Sequence, residues 1–520
     1  MHCLRRSVAI VVVLVASLQI ATSSRAEVTR IEALSSQSFG LFRSGEFTRI
    51  DLRVIGELVP GREPVADLEK ATRNKRGTVE YATRIVLLVP QGAESGNGAL
   101  LIDVPNRGRA IAQGLFNSPR SNILQIGQIE PGNGFLQDQG FIVAVVSWEL
   151  GYGIDLPTFN GEDGELIYIE GAALPIMRDV VDFLTHARVD VAGNVNPLAG
   201  TTRRTIALGY SQTGRFLKSF VLQGYNQAQG RQVFNGVHIL GAASGGIQLR
   251  SHPGPQSGAG IIPTFENSEM RGVAEEPLAI AQIVDRLRQR NEDPPKMVFV
   301  NTTTDYFSLR ASLGRTGSKG TVDLPVPGNV RMYDVAGASH ALVAGKSQCK
   351  YAYAVLDWHP VMRSTLLALD RWVAADIAPP ASELMPLAPV PTNAMVLKAP
   401  SYLQAAVVQI PALDADGNAV GGIRLPDMEA PLGAHAVQNP PLSFLCSLAG
   451  GYRPFPKMKA EGAAPSDPSL SLAERYRNHA AYIARIRSAA LALERRRLLL
   501  RQDAEIILDS ASAAELAAVP

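Results

Sequence analysis

Ser211 lies in the sequence setting that chemistry at a serine hydroxyl requires. It follows the apolar run 206–208 and Gly209, and the residues after it favour a helix. This layout is typical of a nucleophile elbow, in which a strained turn between a strand and a helix exposes the hydroxyl. The usual pattern is G-x-S-x-G, whereas here Thr213 takes the second glycine position and Gly214 follows it. An ordinary turn with a solvent-facing serine is the alternative. We expect Gly209 to let the backbone bend and Gly214 to let helix and strand approach closely.

A serine hydroxyl becomes nucleophilic when a histidine takes its proton and a carboxylate orients that histidine. Asp305 follows the apolar segment 298–300, and His340 follows the segment 330–335 and a loop of small residues. The chain order serine, acid, histidine, with each group just after a strand, is the order found in α/β hydrolases. The sequence therefore predicts that Ser211, Asp305 and His340 form a catalytic triad.

Other residues remain open for the two partner roles. The alternative acids are Glu266, Glu269, Asp323 and Asp334. Five of the other histidines fit less well, because they precede the acid, lie inside a predicted strand or helix, adjoin a proline or fall in the C-terminal extension. They are His186, His238, His252, His359 and His435. His252 could still touch substrate, and His340 taken alone could be an ordinary surface residue of a loop.

Attack on a carbonyl group also needs two N–H donors for the developing oxyanion, and losing one donor typically costs about 3 kcal/mol of barrier. We expect one donor to be the backbone of Gln212, directly after the nucleophile. The second is predicted in the loop 104–108, at Asn106 or Arg107, because this loop follows the apolar segment 99–104. A plain turn is the equally open alternative for that loop.

These residues need a sheet whose strand ends bring them together. Residues 28–60 alternate in polarity and predict antiparallel strands, and the apolar run 141–147 is typical of a strand buried on both faces. Apolar residues at helical spacing predict a helix at 172–187. Further strands are predicted at 81–89, 99–104, 206–208, 237–241, 297–300 and 330–335, and further helices at 278–289, 352–374 and 473–496. Such alternation predicts an α/β fold, with a mostly parallel central sheet wrapped by helices.

The domain organisation follows from the same pattern. We divide the chain into a signal peptide at 1–26, a core at 27–377, a proline-rich linker at 378–400 and a C-terminal extension of a β element and helices at 401–520. A lid is predicted within the core, at about 242–296, because insertions above the strand ends cover the active sites of such sheets.

The N-terminus predicts export. Arg5 and Arg6 precede the short apolar stretch 7–21, and the segment 24–26 ends in a small residue. This arrangement is typical of a secretory signal peptide cleaved after Ala26, which would leave the mature protein without stable membrane insertion. An uncleaved membrane anchor is the alternative.

The charge balance and the cysteine content limit the kinds of binding partner and cofactor expected for the mature protein. The whole chain has 50 basic and 48 acidic residues, and loss of Arg5, Arg6 and Arg25 leaves it close to neutral. Nothing in this balance favours binding to nucleic acid or to an anionic membrane surface. No cysteine and histidine pattern has zinc-ligand spacing, and serine hydrolysis needs no metal or organic cofactor. Cys349 and Cys446 could form a disulfide in an oxidising compartment or remain two free thiols.

Several short segments share a pattern with known proteins, among them Gly-Tyr-Ser-Gln-Thr-Gly at 209–214 and Gly-Ala-Ser-His at 337–340. The others are 106–108, 147–149, 215–217, 301–305, 416–426 and 473–476. Together they resemble the large bacterial family of secreted alpha/beta hydrolase domain-containing proteins, over nearly the whole mature chain. The resemblance implies an α/β-hydrolase fold with Ser211, Asp305 and His340 as the triad.

This chain departs from that family's usual pattern at three places. Thr213 stands where serine is usual, Asp305 stands where glutamate is frequent, and residues 436–439 replace an aromatic Gly-Trp-Asn segment. The third difference concerns substrate contacts rather than the triad.

The predicted function is that of an exported serine hydrolase that cleaves a small-molecule carboxylic ester through an acyl-enzyme intermediate. Acyl transfer, or cleavage of an amide or peptide bond, is a second interpretation, because the lid and not the triad selects the acceptor. A hydrolase-fold binding protein without turnover and a membrane-tethered scaffold are further alternatives. The sequence leaves the identity of the ester and the oligomeric state open.

Overall fold

The structure is a computed structural model that describes most of the 520-residue chain. The described residues are 27–92, 96–117, 124–125, 129–242, 244–247, 249–253, 277–392, 407–441, 443–458 and 470–513. The predicted signal peptide at 1–26, residues 254–276 of the predicted lid and residues 393–400 of the predicted linker lie outside these ranges.

A ten-stranded sheet forms the centre of the molecule. Its principal strands are β1 (Glu27–Phe42), β2 (Gly45–Leu58), β3 (Val79–Pro90), β4 (Ala99–Asp103), β5 (Ile142–Val146), β6 (Arg204–Tyr210), β7 (Gly236–Leu240), β8 (Lys296–Thr302) and β9 (Val330–Val335). Their spatial order is β1-β2-β3-β5-β4-β6-β7-β8-β9, and the short strand Ile154–Asp155 pairs with β3. Pairing is antiparallel from β1 to β5 and parallel from β5 to β9. The mostly parallel sheet predicted from the sequence is confirmed.

Two apolar cores lie on opposite faces of this sheet. Successive side chains of a strand point to opposite faces, and on β5 Ile142 and Ala144 belong to one core whereas Val143 and Val145 belong to the other. The first core contains residues of helices α1 (Ala173–His186), α2 (Gln212–Leu222) and α3 (Ile280–Gln289). The second contains residues of α5 (His359–Ala375), α7 (His479–Arg495) and α8 (Arg501–Ala513). This double covering explains why the parallel strands are continuously apolar.

Shorter elements connect the principal ones. The short helices are Leu68–Lys70, Gln113–Asn117, Phe135–Asp138, Glu170–Ala172, α4 (Thr303–Ser308), Leu313–Thr316, Pro426–Glu429, α6 (Phe444–Ala449) and Leu472–Arg475. The short strands are Arg109–Ala110, Leu124–Gln125, Thr158–Asn160, Leu166–Ile169, Gln227–Ala228, Arg231–Gln232, Ser251–Pro253, Ala352–Tyr353, Leu387–Pro389, Gln409–Pro411, Gly433–Val437 and Gly451–Pro454.

The predicted helix at 352–374 is wrong in its first part. Residues Ala352–Tyr353 form a strand that pairs with Gly451–Pro454 of the C-terminal extension, and the helix begins only at His359. Pro360 occupies the first turn of that helix, where its missing N–H and fixed φ do no harm. A local pattern could not reveal the strand, because its partner lies about a hundred residues further along the chain.

The C-terminal extension packs on the core with more helix than the sequence indicated. The predicted helix at 473–496 is divided into Leu472–Arg475 and α7, and Asn478 begins α7 by accepting a hydrogen bond from the N–H of Ala481. Helix α8 was not predicted. It is fixed to α5 by a buried ion pair in which Arg363 donates to Asp503 at 2.7 Å. Among the described residues, no helix combines the length and the apolar character needed to cross a membrane.

Candidate active site

Ser211 lies between β6 and α2 in a backbone conformation that non-glycine residues rarely adopt, with φ of 57° and ψ of −114°. Such strain is typical of a nucleophile elbow. The hydroxyl of Thr213 closes the turn, because it accepts from the N–H of Tyr210 at 3.0 Å and donates to the carbonyl of Tyr210 at 3.2 Å. Thr213, which stands where a glycine is usual, therefore stabilises this elbow.

The two elbow glycines both allow close approach of the backbone. A Cβ on Gly214 would lie 2.8 Å from Ile239 Cγ2 and 2.7 Å from Ala242 Cβ, which confirms the expected approach of helix and strand. Gly209 also leaves room that a side chain would fill. Its backbone is not in the left-handed region, but a Cβ there would lie 2.7 Å from the carbonyl oxygen of Thr213, so the chain could not turn so tightly with a larger residue.

The structure brings the three predicted triad residues into one hydrogen-bonded line. The Nε2 atom of His340 lies 3.1 Å from Ser211 Oγ, and its Nδ1 atom lies 2.6 Å from Asp305 Oδ1. Asp305 is fully buried, His340 is 3 % exposed and Ser211 is partly exposed. The carboxylate therefore lies at the inner end of the line and the hydroxyl at its open end.

Main-chain and side-chain contacts fix the acid and the imidazole. The second oxygen of Asp305 accepts from the N–H of Thr302 at 2.7 Å, so both carboxylate oxygens are bound. The hydroxyl of Thr304 accepts from the N–H of His340 at 2.7 Å and donates to the carbonyl of Leu448 at 3.0 Å. Gly241, at the end of β7, has a φ of 57° and leaves space for the pair, because a Cβ there would lie 2.8 Å from His340 Nδ1.

Tyr210 holds the histidine from the other side and was missed by sequence reasoning. Its ring stacks on the imidazole of His340 with centroids 5.0 Å apart, and its hydroxyl donates to the carbonyl of His340. The position just before the nucleophile is the only signal that could have marked this tyrosine.

In the predicted oxyanion loop 104–108, Asn106 uses its side-chain and backbone N–H groups in hydrogen bonds within the protein. Asn106 donates its side-chain amide to the carbonyl of Tyr210 at 2.9 Å, and its backbone N–H donates to the carbonyl of Arg109 at 2.9 Å. Asn106 thus positions the elbow, and its backbone N–H is engaged inside its own turn. Gln212 is the first residue of α2, where backbone N–H groups have no partner within the helix. Arg107 remains a prediction as the second donor.

Buried groups around that loop fix its position. Trp148 donates its indole N–H to the carbonyl of Pro105 at 2.8 Å. Asp103, at the end of β4, accepts from the N–H groups of Ile111 and Ala112, both at 2.8 Å. Burial raises the pKa of Asp103 to about 7, against the lowering effect of these two hydrogen bonds.

The alternative acids have other partners wherever the structure describes them. Asp334 and Asp323 both bind Arg315, at 3.0 Å and 2.5 Å, and neither replaces Asp305 beside the imidazole of His340. Glu266 and Glu269 lie outside the described residues.

The five alternative histidines have other neighbours, and none of them takes the place of His340 between Ser211 and Asp305. His238 is buried within β7 beside Thr365, and burial lowers the pKa of its imidazole to about 3. His186 lies near Asp182, His252 near Glu170 and His359 near Asp357, while His435 is buried in the C-terminal extension.

Cys349 and Cys446 form a disulfide, which was one of the two possibilities that the sequence left open. Cys349 lies in the segment that follows His340, and Cys446 lies in α6, close to Leu448. The bond therefore joins the histidine segment to the helix that accepts the hydrogen bond of Thr304.

Comparison with known proteins places the fold. Residues 144–509 match the family model described as "Alpha/beta hydrolase domain", which together with the mostly parallel sheet confirms the predicted α/β-hydrolase fold. A search of curated proteins finds no significant match.

Three similar solved structures are esterases or acyl hydrolases. The rice cell wall degrading esterase LipA from Xanthomonas oryzae is 15 % identical with a TM-score of 0.23, over 41 % of this chain and 50 % of LipA. This chain thus spans about half the length of LipA. An esterase from Rhizomucor miehei is 10 % identical with a TM-score of 0.30, over 68 % and 86 % of the two chains. Tannin acyl hydrolase from Aspergillus niger is 9 % identical with a TM-score of 0.28, over 75 % and 94 %. Similarities at these TM-scores say nothing of what this chain binds.

Proposed function

Because this chain belongs to the alpha/beta hydrolase domain family, we propose that it is a serine hydrolase that cleaves a carboxylic ester. The observation that carries the proposal is the hydrogen-bonded line from Ser211 through His340 to Asp305. A hydroxyl on a strained turn, an imidazole within hydrogen-bond distance and a buried carboxylate are the parts of an activated nucleophile.

In the proposed reaction, Ser211 Oγ attacks the carbonyl carbon of the ester while its proton passes to His340 Nε2. Asp305 holds the other ring proton on Nδ1, which leaves Nε2 as the acceptor, and it stabilises the imidazolium that forms. The imidazolium then gives its proton to the departing alcohol, and the acyl group stays on the serine. Water attacks this acyl-enzyme with His340 again as base, and the carboxylic acid leaves.

The backbone N–H of Gln212 is the proposed first donor to the oxyanion. It belongs to the residue after the nucleophile and to the first turn of α2, where partial positive charge is concentrated. We propose the backbone of Arg107 as the second donor, because Asn106 and Trp148 hold its loop against the elbow.

We also propose that the protein acts outside the cytoplasm. The segment 1–26 has the composition of a signal peptide, and the disulfide between Cys349 and Cys446 suits an oxidising compartment. N-terminal sequencing of the exported protein should then begin at Glu27, and recovery of the intact segment from the membrane would contradict the proposal.

Labelling with a fluorophosphonate probe tests the proposed function. Purified mature protein should be labelled at Ser211, and labelling should be lost in Ser211→Ala and after heat denaturation. Ser35→Ala changes an exposed serine on β1 and is the matched control, which should be labelled like the wild type. Absence of labelling in a well-folded wild-type protein would contradict an activated serine and favour a binding protein without turnover.

A further inference from the structure

An open groove of about 690 Å³ runs along the second half of α1. Its other walls are the first residues of β1, the segment 59–63 after β2, the loop 187–191 and the hairpin of strands Gln227–Ala228 and Arg231–Gln232. A groove of this size has room for a small organic molecule.

The groove is separate from the candidate active site. Helix α2 begins directly after Ser211 and has 11 residues, which corresponds to a length of about 16 Å. The hairpin that forms one wall of the groove comes after the other end of α2. None of the lining residues belongs to the triad or to the predicted oxyanion loop.

Carboxylates outnumber guanidinium groups in the lining of the groove. The lining has five acidic residues and three arginines, and it is therefore negative while its single histidine is neutral. The acidic residues are Glu27, Glu63, Asp179, Asp182 and Asp190. An excess of one charge in a groove favours a ligand of the opposite charge, which here is a cation.

Several of these carboxylates already have partners within the protein. Glu63 accepts from both terminal nitrogens of Arg178, at 2.8 and 3.0 Å, and Asp182 lies 3.2 Å from Arg231. Asp190 accepts from a backbone N–H of β1 at 2.8 Å. The excess of acidic residues does not by itself define a binding site.

Asp179 supplies the second observation. Its Oδ1 atom accepts from Arg178 Nε at 2.8 Å, whereas its Oδ2 atom has no hydrogen-bond partner among the described residues. The residue is only 8 % exposed. A buried polar atom without a partner is costly, and native structures contain few of them. Since Asp179 lines the groove, a donor that enters from solvent can supply this partner.

The charge of Asp179 depends on pH near neutrality. Burial raises the pKa of its carboxyl group to about 7 against the lowering effect of Arg178, and the charges of Glu63 and Asp182 raise it as well. Tyr81 on β3 is also near, but burial and the charge of Asp179 hold the pKa of its hydroxyl well above the usual range. A bound cation favours the ionised carboxylate, so its binding should strengthen between pH 6 and pH 8.

We infer that this groove binds a small organic cation, whose ammonium group pairs with Asp179 and whose apolar body packs on the wall around Phe183, Val189 and Val191. Val189 and Val191 are 50 % and 58 % exposed, so a body bound there would cover apolar surface. A neutral or anionic molecule of the same shape gains the same packing without the ion pair. The inference does not depend on the proposed hydrolase activity.

Three compounds of one shape test the inference. They are 4-phenylbutylamine, 4-phenylbutan-1-ol and 4-phenylbutanoate, titrated into the mature protein in a calorimeter at pH 8 and at pH 6. At pH 8 the amine should bind about 10-fold or more tightly than the alcohol, and the carboxylate should bind least. At pH 6 the affinity for the amine should fall several-fold. Equal affinities for the three compounds, or no binding of the amine, would overturn the inference.

Variants show whether Asp179 causes this preference. Asp179→Asn keeps an acceptor for Arg178 and should remove both the preference for the amine and its dependence on pH. Asp323→Asn is the matched control, because Asp323 also pairs with an arginine but does not line the groove, and it should bind like the wild type. A preference that survives in Asp179→Asn would come from another lining group, such as His186, and would overturn the role of Asp179.

A change at an exposed position tests the site without disturbing a buried charge. Val191→Lys should weaken binding of the amine several-fold and strengthen binding of 4-phenylbutanoate, because it adds a positive charge to the wall. Unchanged affinities for both compounds in a folded Val191→Lys protein would place the binding elsewhere and overturn the inference.

The mature N-terminus is a second source of an ammonium group at this groove. Glu27 is among the lining residues, so cleavage after Ala26 would create an α-ammonium group there. A protein with a neutral Gly-Ser-Gly-Ser extension before Glu27 distinguishes the two sources. Equal affinity for the amine in both proteins supports an external ligand. Binding of the amine to the extended protein alone would identify the α-ammonium as the occupant and overturn the inference.

Discussion

Two buried aspartates lie near the ends of neighbouring strands and have opposite surroundings. Asp305 follows β8 and Asp334 lies near the end of β9, and both are fully buried. Asp305 contacts the imidazole of His340 with one oxygen and the backbone N–H of Thr302 with the other. Asp334 is surrounded by Arg315, by the hydroxyl of Tyr306, by the amide of Asn301 and by the N–H of Met385.

The difference lies in what each carboxylate is connected to. Asp305 contacts a group that can gain and lose a proton and that extends to a partly exposed hydroxyl. Asp334 contacts a guanidinium, which stays protonated at any ordinary pH, within a cluster that Asp323 completes at the surface. We therefore expect Asp305 to matter for rate and Asp334 to matter for stability.

The largest expected effect is on the rate of Asp305→Asn. The N–H of Thr302 would keep the amide oxygen, so the amide nitrogen would face Nδ1 and shift the ring proton to Nε2. The neutral amide also cannot stabilise the imidazolium, so kcat for ester hydrolysis should fall about 10⁴-fold. The free energy of unfolding should change much less, because the side chain keeps its size and its place beside Thr302. Steady-state kinetics and denaturant unfolding on the same preparation measure both. A fall of less than tenfold would identify another acid as the partner of His340.

The converse change, Asp334→Asn, should act on stability. Arg315 has only 3 % of its side chain exposed, and it would lose its buried counter-charge. Breaking a buried ion pair in this way typically costs about 3–5 kcal/mol. Denaturant unfolding should show a loss in this range, while kcat per labelled Ser211 should stay within a few-fold of the wild-type value.

Asp323→Asn is the matched control for this second change. Asp323 binds the same Arg315, but 42 % of its side chain is exposed, so solvent screens the pair and the loss should be within about 1 kcal/mol. Equal losses for the two aspartates would contradict the view that burial of Asp334 sets the difference.

The sequence could predict the triad residues, but it could not predict the contacts that support them. Ser211, Asp305 and His340 each follow an apolar strand, which is a local signal, and the strand order brings them together. The supporting contacts join distant positions, because Tyr210 and His340 are 130 residues apart and Thr304 and Leu448 are 144 residues apart.

Asn106 shows the limit of this reasoning most clearly. Its loop was correctly placed beside the elbow, because both follow neighbouring parallel strands, β4 and β6. Its side chain supports the carbonyl of Tyr210, and that task depends on the orientation of an amide that no sequence pattern specifies. The prediction of a helix at 352–374 was wrong in its first residues for a related reason, because a strand of the C-terminal extension pairs with them.

The smallest of the three expected effects concerns the disulfide between Cys349 and Cys446. This bond stabilises the region around Asp305, whereas ion pairs stabilise the cluster around Asp334. The disulfide closes a loop between positions 97 residues apart and joins the histidine segment to α6. Replacing both cysteines with serine should lower the free energy of unfolding by about 2–4 kcal/mol, because the unfolded chain gains freedom. Activity should fall less than in Asp305→Asn, since Thr304 and Tyr210 still hold His340.

A reducing agent should destabilise the wild type in denaturant unfolding and leave the double variant unchanged. Equal stability of the oxidised wild type and the double variant would show that noncovalent packing of α6 alone holds the histidine segment.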